Sequence, residues 1–169
     1  MIVIGIDPGS RCTGYGVIER RGNRYRLIDA GAVPTSRQAD LPARLRVIHE
    51  ALTEIIEARS PDAAAIEDVF IARNARSSLI LGQARGAAML AAALKDIPVA
   101  EYAPREVKMA LTGNGAATKE QIRFMVQRLL GLKTAPVSTD ASDALGIALC
   151  HAMRSAGPRP PGRTKGSVR

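Results

Sequence analysis

Asp7 and Glu67 share a local setting: each closes a short apolar run, Ile2 to Ile6 in one case and Ala63 to Ile66 in the other. A buried strand with an acid at its tip explains that pattern. If the two strands are parallel neighbours, ~4.8 Å apart, both carboxylates reach one spot. The C-terminal edge of such a sheet is also where open α/β folds bind their ligands. Asp140 and Asp143 stand three residues apart at the start of a helix-like segment. They are therefore about 60° apart around its axis, one turn above each other. Four acids from three segments make a cluster whose mutual repulsion requires cations or protons. Hard divalent ions with oxygen ligands suit it, Mg²⁺ above all. Two such ions ~4 Å apart are the apparatus of phosphodiester hydrolysis. Each acid also has an ordinary structural reading. An acid ending a strand can be a turn former or helix cap. Asp140 and Asp143 can simply favour the positive end of a helix. Spacing alone leaves both readings open.

Around these acids the chain is basic. Its 169 residues hold 24 Lys and Arg against 16 Asp and Glu, a net +8. A polyanionic partner follows, nucleic acid before membrane. The excess is uneven. Residues 154–169 hold five cations and no acid, so the remainder carries only 19 against 16, or +3. Aromatic residues are 3% of the chain, too few for a base-stacking platform. No apolar run approaches the ~20 residues of a spanning helix. The apolar start meets an acid and Pro8-Gly9 at once, so no leader is expected. Cys12 and Cys150, far apart in sequence, point to a reducing, cytoplasmic setting. Neither His49 nor His151 pairs with cysteine at zinc spacing.

The elements that must position the acids read as follows. Strands are expected over 2–7, 13–19, 25–32, 62–69 and 98–102, with Arg20 to Asn23 turning the second into the third. Leu41, Leu45, Ile48, Leu52, Ile55 and Ile56 form the stripe of an amphipathic helix over 41–58. Further helices are expected over 77–95, 104–111, 119–130 and 140–154. Thr118 and Gln121 resemble a capping box, and Thr139 is the expected N-cap of the last helix. The order implies an α/β domain over residues 1–154. Its five-stranded mixed sheet, an antiparallel hairpin plus parallel strands 1, 4 and 5, carries helices on both faces. Residues 155–169, rich in Pro and Gly, are expected to be a disordered basic tail.

Four segments carry a resemblance: GIDPGSRCTGYGVI, IEDVFIARNARSSLILGQARGAAML, EYAPREVKMALTGNGAATKEQI and DASDALGIALCH. In that order and at that spacing the sequence resembles the bacterial RuvC Holliday junction resolvases, of the ribonuclease H-like superfamily. The likeness spans residues 1–153. It implies a homodimeric, Mg²⁺-dependent endonuclease with two ions per subunit, for which Mn²⁺ substitutes. Its substrate would be four-way junction DNA, cut by paired symmetric nicks with 5′-phosphates in recombination and repair. RuvA and RuvB would be its branch-migration partners. Asp7, Glu67, Asp140 and Asp143 fall on the family's metal-holding positions. Lys108 and Lys119 fall on two basic positions near its active site, and Phe70 on an aromatic that meets junction bases. Arg73, Asn74 and Arg76 follow as DNA-contact candidates. Asp68 is not a ligand in the family pattern, and strand alternation turns it away. Gly82, Ala84, Gly86, Ala87 and Ala88 smooth the second helix, either for internal packing or for a two-fold contact between copies, which two symmetric cuts favour.

Two other readings compete. IGIDPGS before a hairpin also resembles the first phosphate loop of actin-like ATPases and sugar kinases, but those need two lobes. A non-catalytic nucleic-acid-binding protein fits the charge, yet has no use for four convergent acids.

Overall fold

The computed structural model describes residues 1–9, 11–35, 40–68, 74–133 and 138–155. The strands are β1 (Ile2–Asp7), β2 (Cys12–Arg21), β3 (Arg24–Pro34), β4 (Ala63–Glu67) and β5 (Val99–Tyr102). The helices are α1 (Leu41–Arg59), α2 (Ala75–Ala93), α3 (Pro104–Thr112), α4 (Lys119–Leu130) and α5 (Thr139–Arg154). One mixed sheet runs β3-β2-β1-β4-β5. The hairpin pairs antiparallel, and β1, β4 and β5 pair parallel, as the sequence implies.

Strand alternation sorts the core into two layers. Val3, Ile18 and Ala65 face one way and pack with α3, α4 and α5. Ile4, Ile6, Val17, Ala64 and Ile66 face the other way, onto α1 and α2. On α1, Ile48, Leu52 and Ile56 are the buried part of the anticipated stripe. Helix α5 is buried nearly all round, because the sheet lies beneath it and α3 and α4 lie over it. Its small residues let it settle close to the sheet. A Cβ at Gly5 would stand 2.1 Å from the Ala144 carbonyl oxygen, and one at Gly14 would stand 2.1 Å from that of Asp140. Both strands must be bare there for α5 to lie where it does.

Two local expectations are corrected. The hairpin turn is only Gly22 and Asn23, since Arg21 already pairs with Arg24. The N-cap of α5 is Ser138, not Thr139. The Ser138 hydroxyl accepts from the Ala141 N–H at 3.1 Å, while Thr139 has entered the helix. The α4 capping box is present: Thr118 accepts from the Gln121 N–H, and Gln121 accepts from the Thr118 N–H. Helix α2 begins two residues before the expected start, with Asn74 as its cap. Among the described residues no helix is long and apolar enough to cross a membrane. The expected tail lies, from residue 156 onward, outside the described residues.

Candidate active site

The same alternation that builds the core aims the acids. Ile6 pairs with Ile66 and both face α1, so the next residue on each strand, Asp7 and Glu67, faces α5. The N-terminal turn of α5 lies over that strand edge, held down at Gly14 and Gly5. Asp143 thereby joins Asp7 and Glu67 on one side of a cleft of about 390 Å³. Lys108 of α3 and Lys119 of α4 line it too, among the apolar side chains of Val107, Ile122 and Ile147. Lys119 Nζ stands 3.4 Å from Asp143 Oδ2.

The electrostatics match this crowding. Burial first, then the charges of Glu67, Asp143 and Asp140, push the Asp7 carboxyl from 3.8 up to about 7, against the pull of Lys119. Glu67 is raised by burial and by Asp143, again opposed by Lys119. Asp140 is not among the residues lining the cleft. It acts on Asp7, and on the Cys12 thiol nearby, through its charge. Burial first, then the neighbouring Asp140 and Asp7, push Cys12 up to about 11, so it is a thiol rather than a nucleophile at neutral pH.

The donor set suits a hard cation: carboxylate oxygens on a rigid strand edge and a helix start. Among the described residues no three His, Cys, Asp or Glu side chains are arranged as a ligand shell. The fit therefore rests on donor type and convergence. The raised Asp7 and Glu67 show the excess negative charge that a bound cation would neutralise.

The remaining candidates lie elsewhere. Phe70 and Arg73 fall outside the described residues. Asn74 is exposed, and its side-chain oxygen accepts from the Arg76 N–H at 2.9 Å, capping α2. Arg76 is exposed on the first turn of α2. Neither lines the cleft. Asp68 is turned away as anticipated, with Oδ1 3.7 Å from Arg85. His151 is a packing residue: its Nδ1 lies 2.9 Å from the Tyr102 hydroxyl, and burial lowers its pKa. Sequence reasoning missed the positioning roles of Gly5 and Gly14. Their signal was a glycine inside an otherwise apolar strand.

A family model described as Crossover junction endodeoxyribonuclease RuvC matches residues 3–151. A protein of that description from Vibrio vulnificus (strain CMCP6) is 53% identical over 151 residues, covering 89% of this chain and 86% of its own. One from Geotalea uraniireducens (strain Rf4) is 50% identical over 155 residues, covering 92% and 90%. Among solved structures, T. thermophilus RuvC in complex with Holliday junction substrate has a TM-score of 0.88 at 39% identity. That match covers 92% of this chain and 95% of the other.

Proposed function

The chain belongs to the RuvC family of crossover junction endodeoxyribonucleases, and from that premise we propose how its residues divide the work of cutting a four-way junction. The enzyme is a metal-dependent endonuclease that resolves Holliday junctions. The observation that carries the residue assignment is the meeting of Asp7, Glu67 and Asp143 with Lys108 and Lys119 in one cleft.

In our reading Asp7, Glu67, Asp140 and Asp143 hold two Mg²⁺ ions, and Mn²⁺ can replace them. When bound, the ions supply an activated water and charge stabilisation for the leaving 3′-oxygen. Asp7 must lose its proton to act as a ligand, and Lys119 favours that loss. Lys108 and Lys119 bind the phosphate oxygens flanking the cut and bring positive charge to a pocket that otherwise repels DNA. Glycines at positions 5 and 14 keep α5 close enough for its acids to reach the strand edge. Phe70, Arg73, Asn74 and Arg76 meet the junction beside the cut, Asn74 also serving as a cap.

The working unit is a homodimer joined through α2. Ala84 and Ala88 are buried inward, whereas a Cβ at Gly82 or Gly86 would meet nothing. Leu79 and Leu90, 69% and 50% exposed, continue that open stripe. Such a stripe suits self-association about a two-fold axis. Two sites so related would nick opposing strands symmetrically and leave 5′-phosphates. Residues 1–154 form the nuclease domain, the basic residues beyond add salt-sensitive attraction to DNA, and RuvA and RuvB are its cytoplasmic partners.

The test is cleavage of a synthetic four-way junction against linear duplex, with Mg²⁺, for the wild type and Asp7→Asn. The wild type should cut the junction alone. Asp7→Asn should bind the junction at least as tightly, one repulsive charge being gone, and should not cut. An Asp7→Asn variant that cuts at the wild-type rate would remove these carboxylates from the mechanism.

A further inference from the structure

Arg85 sits midway along α2, with 19% of its side chain exposed. Its guanidinium gathers the ends of two strands. Nε donates to the main-chain carbonyl of Glu67 at 3.3 Å. Nη2 donates to Glu101 Oε2 and stands 3.7 Å from Asp68 Oδ1. Glu67 closes β4, Asp68 follows it, and Glu101 is the residue before the end of β5. All three partners thus belong to the sheet edge that carries the cleft.

The geometry divides one short stretch of chain between two tasks. The Glu67 carboxylate faces α5 and the cleft, while Asp68 faces Arg85. The carbonyl that Arg85 grips belongs to the peptide between them. A peptide is planar, so holding its carbonyl holds the Cα–C bond of Glu67. With Glu67 also paired to β5, this limits how its Cβ, and the carboxylate beyond it, can swing. A guanidinium suits this role because its planar fork serves several acceptors at set angles. Glu101 strengthens its hold through a charge-assisted bond, and Asp68 adds an ion pair at 3.7 Å. The apolar contacts of α2 are made chiefly by small side chains, Ala84, Ala88, Ala91 and Ala92. The Asp68 N–H of the same peptide donates to the Tyr102 carbonyl at 2.8 Å, so β5 holds one side of this peptide and Arg85 the other.

We propose that Arg85 is a positioning residue of the nuclease site, locking the peptide after Glu67, and so the aim of its carboxylate, to helix α2. The proposal rests on the reading of Glu67 as a metal-holding group.

The experiment compares wild type, Arg85→Lys, Arg85→Met, Glu101→Gln and Asp7→Asn as full chains. Three quantities are read: junction affinity without metal, the Mg²⁺ concentration for half-maximal cleavage, and the rise in Tm that Mg²⁺ alone produces. Arg85→Lys keeps the charge but loses the fork. It should bind junction within about twofold of wild type, yet need roughly tenfold more Mg²⁺ and show a smaller Mg²⁺-induced rise in Tm. Arg85→Met should shift both metal readouts further. Glu101→Gln, which leaves the Glu67 bond in place, should shift them less, and it serves as the decisive variant if Arg85→Met does not fold. Wild-type Mg²⁺ midpoints and melting shifts in the folded variants would overturn the proposal. So would a loss of Tm and junction affinity with the metal readouts unmoved, since that is a purely structural role. Asp7→Asn separates the two failures. If it cuts, the carboxylate reading falls and this inference with it; if it is inactive, the Arg85 result stands on its own.

Discussion

Asp7 concentrates the electrostatic conflict of the site. Burial and three neighbouring acids raise it from 3.8 to about 7. A carboxyl raised in this way binds its proton more tightly folded than unfolded. Its contribution to stability is fully present below the unfolded value of 3.8 and is lost as pH rises through about 7. In metal-free buffer, the Tm of the wild type should therefore fall more than that of Asp7→Asn between about pH 5 and about pH 8. Mg²⁺ should restore more of the loss at the higher pH, because ligation requires the deprotonated form. Parallel melting profiles for the two proteins would contradict this account. Lys119 pulls Asp7 and Glu67 the other way. At limiting Mg²⁺, Lys119→Ala should move the midpoint of the pH–cleavage profile upward, which a pH series of initial rates would show.

The element that decides the site is α5. Its acids reach the strand edge because β1 and β2 present no side chain at Gly5 and Gly14. Gly5→Ala would place a methyl group 2.1 Å from the Ala144 carbonyl oxygen. The helix must then lift away from the sheet. Overpacking of this kind costs about 1–3 kcal/mol, seen as a lower urea midpoint. Cleavage should fall by more than tenfold in the protein that remains folded, because a ~1 Å displacement of catalytic groups is enough to do so. An unchanged rate would mean that α5 tolerates the shift and that its acids are not aimed by this contact.

At the scale of the whole molecule, a junction with two strands to cut calls for two sites. The open face of α2, with Gly82 and Gly86 bare and Leu79 and Leu90 exposed, is where a second copy would seat. Gly86→Leu should yield monomers in sedimentation velocity, because a Cβ there meets nothing within 4 Å and the added side chain projects where the second copy would lie. A dimeric variant would remove this face from the interface. Net charge acts at this scale as well. The +8 is concentrated toward the C-terminus, where five cations lie in residues 154–169. General attraction to DNA and the proposed phosphate contacts of Lys108 and Lys119 would therefore be separable contributions.

The linear order of residues determined the elements, their sequence along the sheet and the identity of the acids. Short apolar runs ending in Asp7 and Glu67, and the three-residue spacing of Asp140 and Asp143, are local patterns that backbone geometry alone turns into faces. The family motifs, spread over most of the chain, were legible for the same reason. Tertiary structure decided what depends on distance between segments. It set Asp7, Glu67 and Asp143 around a cleft shared with Lys108 and Lys119, and left Asp140 acting on it through Asp7. It turned Gly5 and Gly14 into the seat of a helix, and it sent Arg85 to the carbonyl behind Glu67. None of these is encoded by neighbours in sequence. Each arises where two layers close against one another, and only packing fixes that separation.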